Sequence, residues 1–88
     1  MVEEKKHFVY VLYSEKFDKI YIGYTSDLEK RLLSHNYLSN KGWTVKYRPW
    51  RLILSEEFSL KKDALEKEKQ LKSAKGRELV WKIIRNKN

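Results

Sequence analysis

Two apolar runs, Phe8-Val9-Tyr10-Val11-Leu12-Tyr13 and Lys19-Ile20-Tyr21-Ile22-Gly23-Tyr24, lie only Ser14–Asp18 apart. β-Branched and aromatic residues favour strands, and so short a connection predicts an antiparallel hairpin. The first run is apolar at every position, which predicts a strand covered on both faces. A chain of 88 residues has room for one domain, taken as 1–88, with a thin core. It contains no cysteine, so a disulfide scaffold, a thiolate zinc site and a Cys nucleophile are excluded. The fold must then rest on dense packing of Trp, Tyr, Leu and Ile, or on an oligomer.

Downstream signals complete the pattern. Ser26-Asp27-Leu28-Glu29 matches a capping box that starts a helix running to His35. Residues 36–49 lack periodicity and form a loop longer than a small domain usually carries without a functional reason. Trp50 to Glu57 reads as a third strand. Ser59 is the expected N-cap of a second helix, with Leu60, Ala64, Glu68 and Leu71 on one face and Gly76 as its stop. A last helix carries the apolar stripe Leu79, Val80, Ile83 and Ile84. The order β-β-α-β-α-α predicts an α/β (α+β) fold: a small, three-stranded, mainly antiparallel sheet flanked by helices.

Charge divides the chain. Residues 1–40 hold six basic and six acidic side chains, while residues 41–88 hold fourteen and six, so the whole excess of +8 lies in the second part. Such an excess suggests a polyanionic partner. Residues 41–51 contain Lys41, Lys46, Arg48 and Arg51 without an acid, interleaved with Trp43, Tyr47 and Trp50. Basic groups among aromatics suit phosphate contact plus stacking on an unpaired base; a buried Trp50 beside solvated charges is the plainer alternative. Lys72, Lys75 and Arg77 extend the basic surface, as do Lys82, Arg85 and Lys87. No apolar run approaches the roughly 20 residues of a membrane span. The opening Met-Val-Glu-Glu-Lys-Lys lacks a signal-peptide core. The expectation is a cytoplasmic protein with no membrane partner.

Four features carry chemical potential, each beside a structural alternative. Glu68 is a carboxylate on an apolar helix face: a metal ligand, or a boundary residue paired with Lys72. Arg31 and His35, at i and i+4, suit phosphodiester chemistry or a solvated helix end. Tyr10 and Tyr21 sit on facing strands as reactive phenols or amphipathic core residues. Gly23 admits a ligand backbone or serves a tight connection.

In combination, these residues resemble the GIY-YIG nuclease superfamily, particularly its small stand-alone bacterial branch related to the endonuclease of nucleotide-excision repair. Phe8-Val9-Tyr10 stands for the first motif and keeps its tyrosine; Tyr21-Ile22-Gly23 matches the second in full, eleven residues on. Arg31 and His35 stand where the family has its helix arginine and, in many members, a histidine. Arg48-Pro49-Trp50-Arg51-Leu52 is similar to the start of the family's third strand. Ala64–Lys72 is similar to the glutamate-bearing helix, with Glu68 as the glutamate, and Ser73–Glu78 to the turn after it. For a late asparagine, Asn86 and Asn88 are the candidates.

The resemblance implies a divalent-metal-dependent endonuclease, with DNA favoured over RNA and a role in repair or recombination. So small a chain is expected to cut by structure rather than by sequence. It implies Mg²⁺ or Mn²⁺ at Glu68, Arg31 on phosphate oxygens and Tyr10 as the base. Tyr21 would position the nucleophilic water, with the two tyrosines exchangeable; His35 would assist proton transfer or bind phosphate. Lys41, Trp43, Lys46, Tyr47, Arg48, Lys72, Lys75 and Arg77 would hold the nucleic acid. The alternative is a nucleic-acid-binding module with a weak or unused nuclease site.

Overall fold

In a computed structural model, which describes residues 5–86, the first apolar run becomes strand β1 (His7–Ser14). It pairs antiparallel with β2 (Lys19–Thr25) on one side and β3 (Arg51–Phe58) on the other, giving the order β2-β1-β3. A central strand presents side chains to both layers, which is why the first run is apolar at every position. Val9, Val11 and Tyr13 join Ile20 and Ile22 against Ala64, Leu71 and Val80 of the helices α2 (Lys61–Lys72) and α3 (Ala74–Arg85). Tyr10 and Leu12 face the other way, onto Trp50, Tyr21, Leu28, Leu32 and Tyr47. That second layer is built from α1 (Leu28–Leu33), a π-helical turn (Ser34–Leu38) and a 3₁₀ turn (Trp43–Tyr47). The fold is the expected α+β arrangement. No helix among the described residues is long and apolar enough to cross a membrane.

Several local expectations are corrected. Asp27, not Ser26, caps α1: its carboxylate accepts the Lys30 N–H at 3.1 Å. The Thr25 hydroxyl fixes this start, accepting from the Asp27 N–H at 3.0 Å and donating to the Asp27 carbonyl at 3.2 Å. The capping box is thus displaced by one residue, and Lys30 stands where Glu29 was expected to reciprocate. α2 is capped by Leu60 rather than Ser59, and its first turn closes on the Leu60 carbonyl. The loop expected over 36–49 contains the 3₁₀ turn and the end of the π-helical turn, which begins at Ser34.

Gly76 does not end α2; it lies inside α3. Ser73 makes the break instead, donating to the Gln70 carbonyl at 2.6 Å and accepting the Gly76 N–H at 3.1 Å. A Cβ on Gly76 would collide with the Leu71 backbone, so glycine is there to let α3 approach the end of α2. In α3, Val80 is buried while Leu79 and Ile83 are exposed, so the packed face is narrower than the apolar stripe. Lys87 and Asn88 lie outside the described residues; Asn86 is the exposed C-cap of α3.

Candidate active site

The pairing of β1 with β2 sets Tyr10 opposite Gly23, and alternation sends both to the α1 layer. A Cβ on Gly23 would stand 2.5 Å from the Tyr10 hydroxyl and 3.0 Å from the Tyr21 ring. The space over Gly23 is therefore filled by the Tyr10 phenol. Gly23 lies inside β2, and its missing side chain admits the tyrosine.

The Tyr10 hydroxyl lies 2.9 Å from Nε2 of His35, and both side chains are buried. His35 comes from the π-helical turn that extends α1, so it stays one turn beyond Arg31 while its ring turns inward. Its Nδ1 meets the Thr44 hydroxyl at 3.2 Å, and the Thr44 carbonyl accepts the Trp50 indole N–H at 2.8 Å. Asn36 ties the same turn to the start of β3 by bonding the Trp50 N–H at 2.6 Å and the Trp50 carbonyl at 3.0 Å. Tyr21 completes the cluster, with its ring 4.8 Å from that of His35 and 6.1 Å from that of Tyr10.

Electrostatics link this cluster to the two charged candidates. Burial pushes the Tyr10 phenol well above its ordinary pKa; the Tyr21 phenol adds to the rise, Arg31 opposes it, and the Glu68 carboxylate adds further. Burial also lowers the His35 imidazole, reinforced by Arg31 and Arg48, which favours the neutral ring. Arg31 itself is exposed on α1, beside a shallow hollow lined by Thr25, Asp27 and Ser34. The fold thus gathers Tyr10, Tyr21, Gly23, Arg31, His35 and Glu68 from β1, β2, α1, the π-helical turn and α2.

Glu68 lies on α2, its side chain 19% exposed, with the Lys72 ammonium 3.0 Å away. Lys72 is thereby drawn to the carboxylate. No group of three His, Cys, Asp or Glu side chains suited to a metal occurs among the described residues. A single, partly exposed carboxylate fits a hard divalent cation, which keeps several waters and takes its other ligands from substrate phosphate. It does not fit zinc, which needs three or four protein ligands.

The expected nucleic-acid residues separate into two groups. Lys41, Trp43, Lys46, Lys75 and Arg77 are exposed, and Tyr47 is half-buried. Arg48 is half-buried and bonded to backbone. Its guanidinium donates to the carbonyls of Ser34 and Ser39, at 3.1 and 2.6 Å, and its Nε to the His35 carbonyl. It caps the π-helical turn and positions His35. Trp50 is core, 5% exposed. Thr44 carries no signal in the sequence, since nothing in an aperiodic loop marks which hydroxyl will meet an imidazole nine positions earlier.

Comparison with known proteins places these features in context. The GIY-YIG catalytic domain family matches residues 6–83. Among relatives, the UPF0213 protein YazA of Bacillus subtilis is 38% identical over 87 residues, covering 97% of this chain and 87% of its own. A UPF0213 protein of Lactococcus lactis subsp. cremoris is 39% identical over 80 residues, covering 91% and 81%. Among solved structures, the solution NMR structure of the UPF0213 protein BH0048 from Bacillus halodurans superposes with a TM-score of 0.53 at 27% identity. It covers 89% of this chain and 84% of that one.

Proposed function

The chain belongs to the GIY-YIG catalytic domain family, a nuclease-type family whose substrate class is nucleic acid, and from that premise we propose that it is a divalent-metal-dependent endonuclease. The observation that carries the reading is the 2.9 Å contact between the Tyr10 hydroxyl and His35 Nε2. DNA is the proposed substrate, cut by structure rather than by sequence, in repair or recombination within the cytoplasm.

A buried phenol held above its ordinary pKa does not ionise by itself near neutrality, so a base built on Tyr10 needs somewhere to send its proton. His35 supplies the acceptor. With Nδ1–H donating to the Thr44 hydroxyl, Nε2 is left as the acceptor for the Tyr10 O–H. As water attacks phosphorus, its proton passes to the Tyr10 oxygen and the Tyr10 proton to Nε2, while the bond from phosphorus to the leaving 3′ oxygen breaks. Tyr21 orients the water, and Arg31 stabilises the charge on the non-bridging oxygens. Glu68 would hold Mg²⁺ or Mn²⁺, exchanging Lys72 for the ion, which would stabilise charge on the scissile phosphate and leaving oxygen.

The test is cleavage of labelled branched, duplex and single-stranded DNA in Mg²⁺, Mn²⁺ or EDTA, beside Glu68→Ala and Arg31→Ala. Expected is metal-dependent cutting that falls by at least about a hundredfold in either variant. Cutting that persists in EDTA, or in Glu68→Ala, would remove the metal role. Binding with no cutting of any substrate would favour a pure binding module.

A further inference from the structure

Phe17 belongs to the turn between β1 and β2, in the neutral half of the chain, yet its ring lies 5.5 Å from that of Tyr47 in the basic half. Tyr47 in turn lies 4.7 Å from Trp43, and Trp43 lies 6.5 Å from Tyr21, whose ring also neighbours His35. A line of aromatic rings thus runs from the hairpin tip to the Tyr10–His35 pair. Its outer members are not core: Phe17 is 40% and Trp43 45% exposed, against 5% for Trp50, on which Trp43 leans. Phe17 and Tyr47 meet edge to face, at 75°, so the two rings are not stacked on one another. Lys16 and Lys19 stand over Phe17 and Tyr47, each ammonium 5.5 Å from its ring centre.

The tip that carries Phe17 is also held. Its neighbour Asp18 adopts a left-handed φ of 54° and binds Arg85 of α3 through two contacts of 3.0 Å, while Tyr13 donates to it at 2.8 Å. A solvent-facing phenylalanine on a tethered turn, flanked by lysines, is a pre-organised apolar face.

Building on the nucleic-acid reading above, we propose that Phe17, Tyr47 and Trp43 form a stacking lane for an unpaired strand. The substrate is then a nucleic acid with a single-stranded segment beside the scissile phosphate, and Phe17 is a specificity-determining residue. Bases in a duplex already stack on one another; unpaired bases have free faces to lay on these rings, and Lys16 and Lys19 would take the phosphates alongside.

The experiment measures binding of the full chain in EDTA by fluorescence anisotropy, with labelled oligothymidine and a blunt DNA duplex as probes. Phe17→Leu keeps an apolar contact on Tyr47 but has no π-face, and Phe17→Trp restores one. Phe17→Leu should weaken oligothymidine binding about tenfold, with the duplex affinity and the salt dependence unchanged, and Phe17→Trp should recover it. Melting curves establish that both variants are folded. Unchanged oligothymidine binding in Phe17→Leu, or an equal loss on duplex, would overturn the lane. Because the readout needs no cutting, the two readings fail separately. A chain that binds through Phe17 but never cuts in Mg²⁺ overturns the nuclease and supports the lane; one that cuts but ignores Phe17→Leu does the reverse.

Discussion

At the scale of the residue, the site depends on His35 being neutral. Its imidazole is buried and faces Arg31 and Arg48, so its pKa lies below the ordinary 6.5. The relay needs Nε2 free of a proton, so the cleavage rate should fall as the pH drops through that depressed value. Single-turnover rates across pH should therefore show an acid limb with its midpoint below 6.5, and a limb at or above 6.5 would contradict the assignment. Stability follows the same sign. The unfolded chain binds the proton more readily, so the contribution of His35 is present above 6.5 and lost as pH falls through the folded value. Much of this is legible in the sequence: the types and spacing of Tyr10, Tyr21, Arg31, His35 and Glu68 mark them together. Their connections are not. Thr44 beneath His35, and Arg48 bonded to the carbonyls of Ser34 and Ser39, depend on how the stretch 36–49 folds back, which periodicity does not encode.

At the scale of the element, the three strands and three helices follow from local pattern, while their ends are set by competition between neighbours. Asp27 takes the cap from Ser26 because the Thr25 hydroxyl holds its backbone. Gly76 resembles a helix stop in sequence because glycine serves both chain reversal and close approach, and only the packing of α3 on the end of α2 tells them apart. Gly76→Ala gives this contrast a number. Alanine gains about 1 kcal/mol in helix propensity. Its Cβ, however, would strike backbone atoms of Gln70 and Leu71, which cannot turn away as a side chain can. Against backbone that cannot yield, overpacking costs about 3 kcal/mol, the upper end of its usual range, so the variant should be less stable by about 2 kcal/mol net. A lowered urea midpoint at unchanged slope would show it; a raised midpoint would mean that the glycine is only a helix breaker.

At the scale of the molecule, the sheet divides the labour. One layer, α2 and α3 on Val9, Val11 and Tyr13, holds the fold and also carries Glu68; the other buries Tyr10 and His35 beside Tyr21. The charge asymmetry follows chain order more than site geometry. The neutral half supplies the phenols, Arg31 and His35, and the basic half supplies Glu68 and the lysines, but the fold brings Phe17 across to Tyr47 and Arg85 across to Asp18. A fold of this size brings the halves together at one surface, so a net charge of +8 describes attraction and six spaced residues describe reaction. The central claim is that Tyr10 passes a proton to His35. It is tested most directly by single-turnover cleavage of a splayed DNA with saturating enzyme in Mg²⁺, comparing the wild type with Tyr10→Phe. That change deletes one oxygen and keeps the ring that fills the space over Gly23. The account predicts a rate lower by about a hundredfold or more with DNA affinity unchanged; cutting by Tyr10→Phe at the wild-type rate would contradict it.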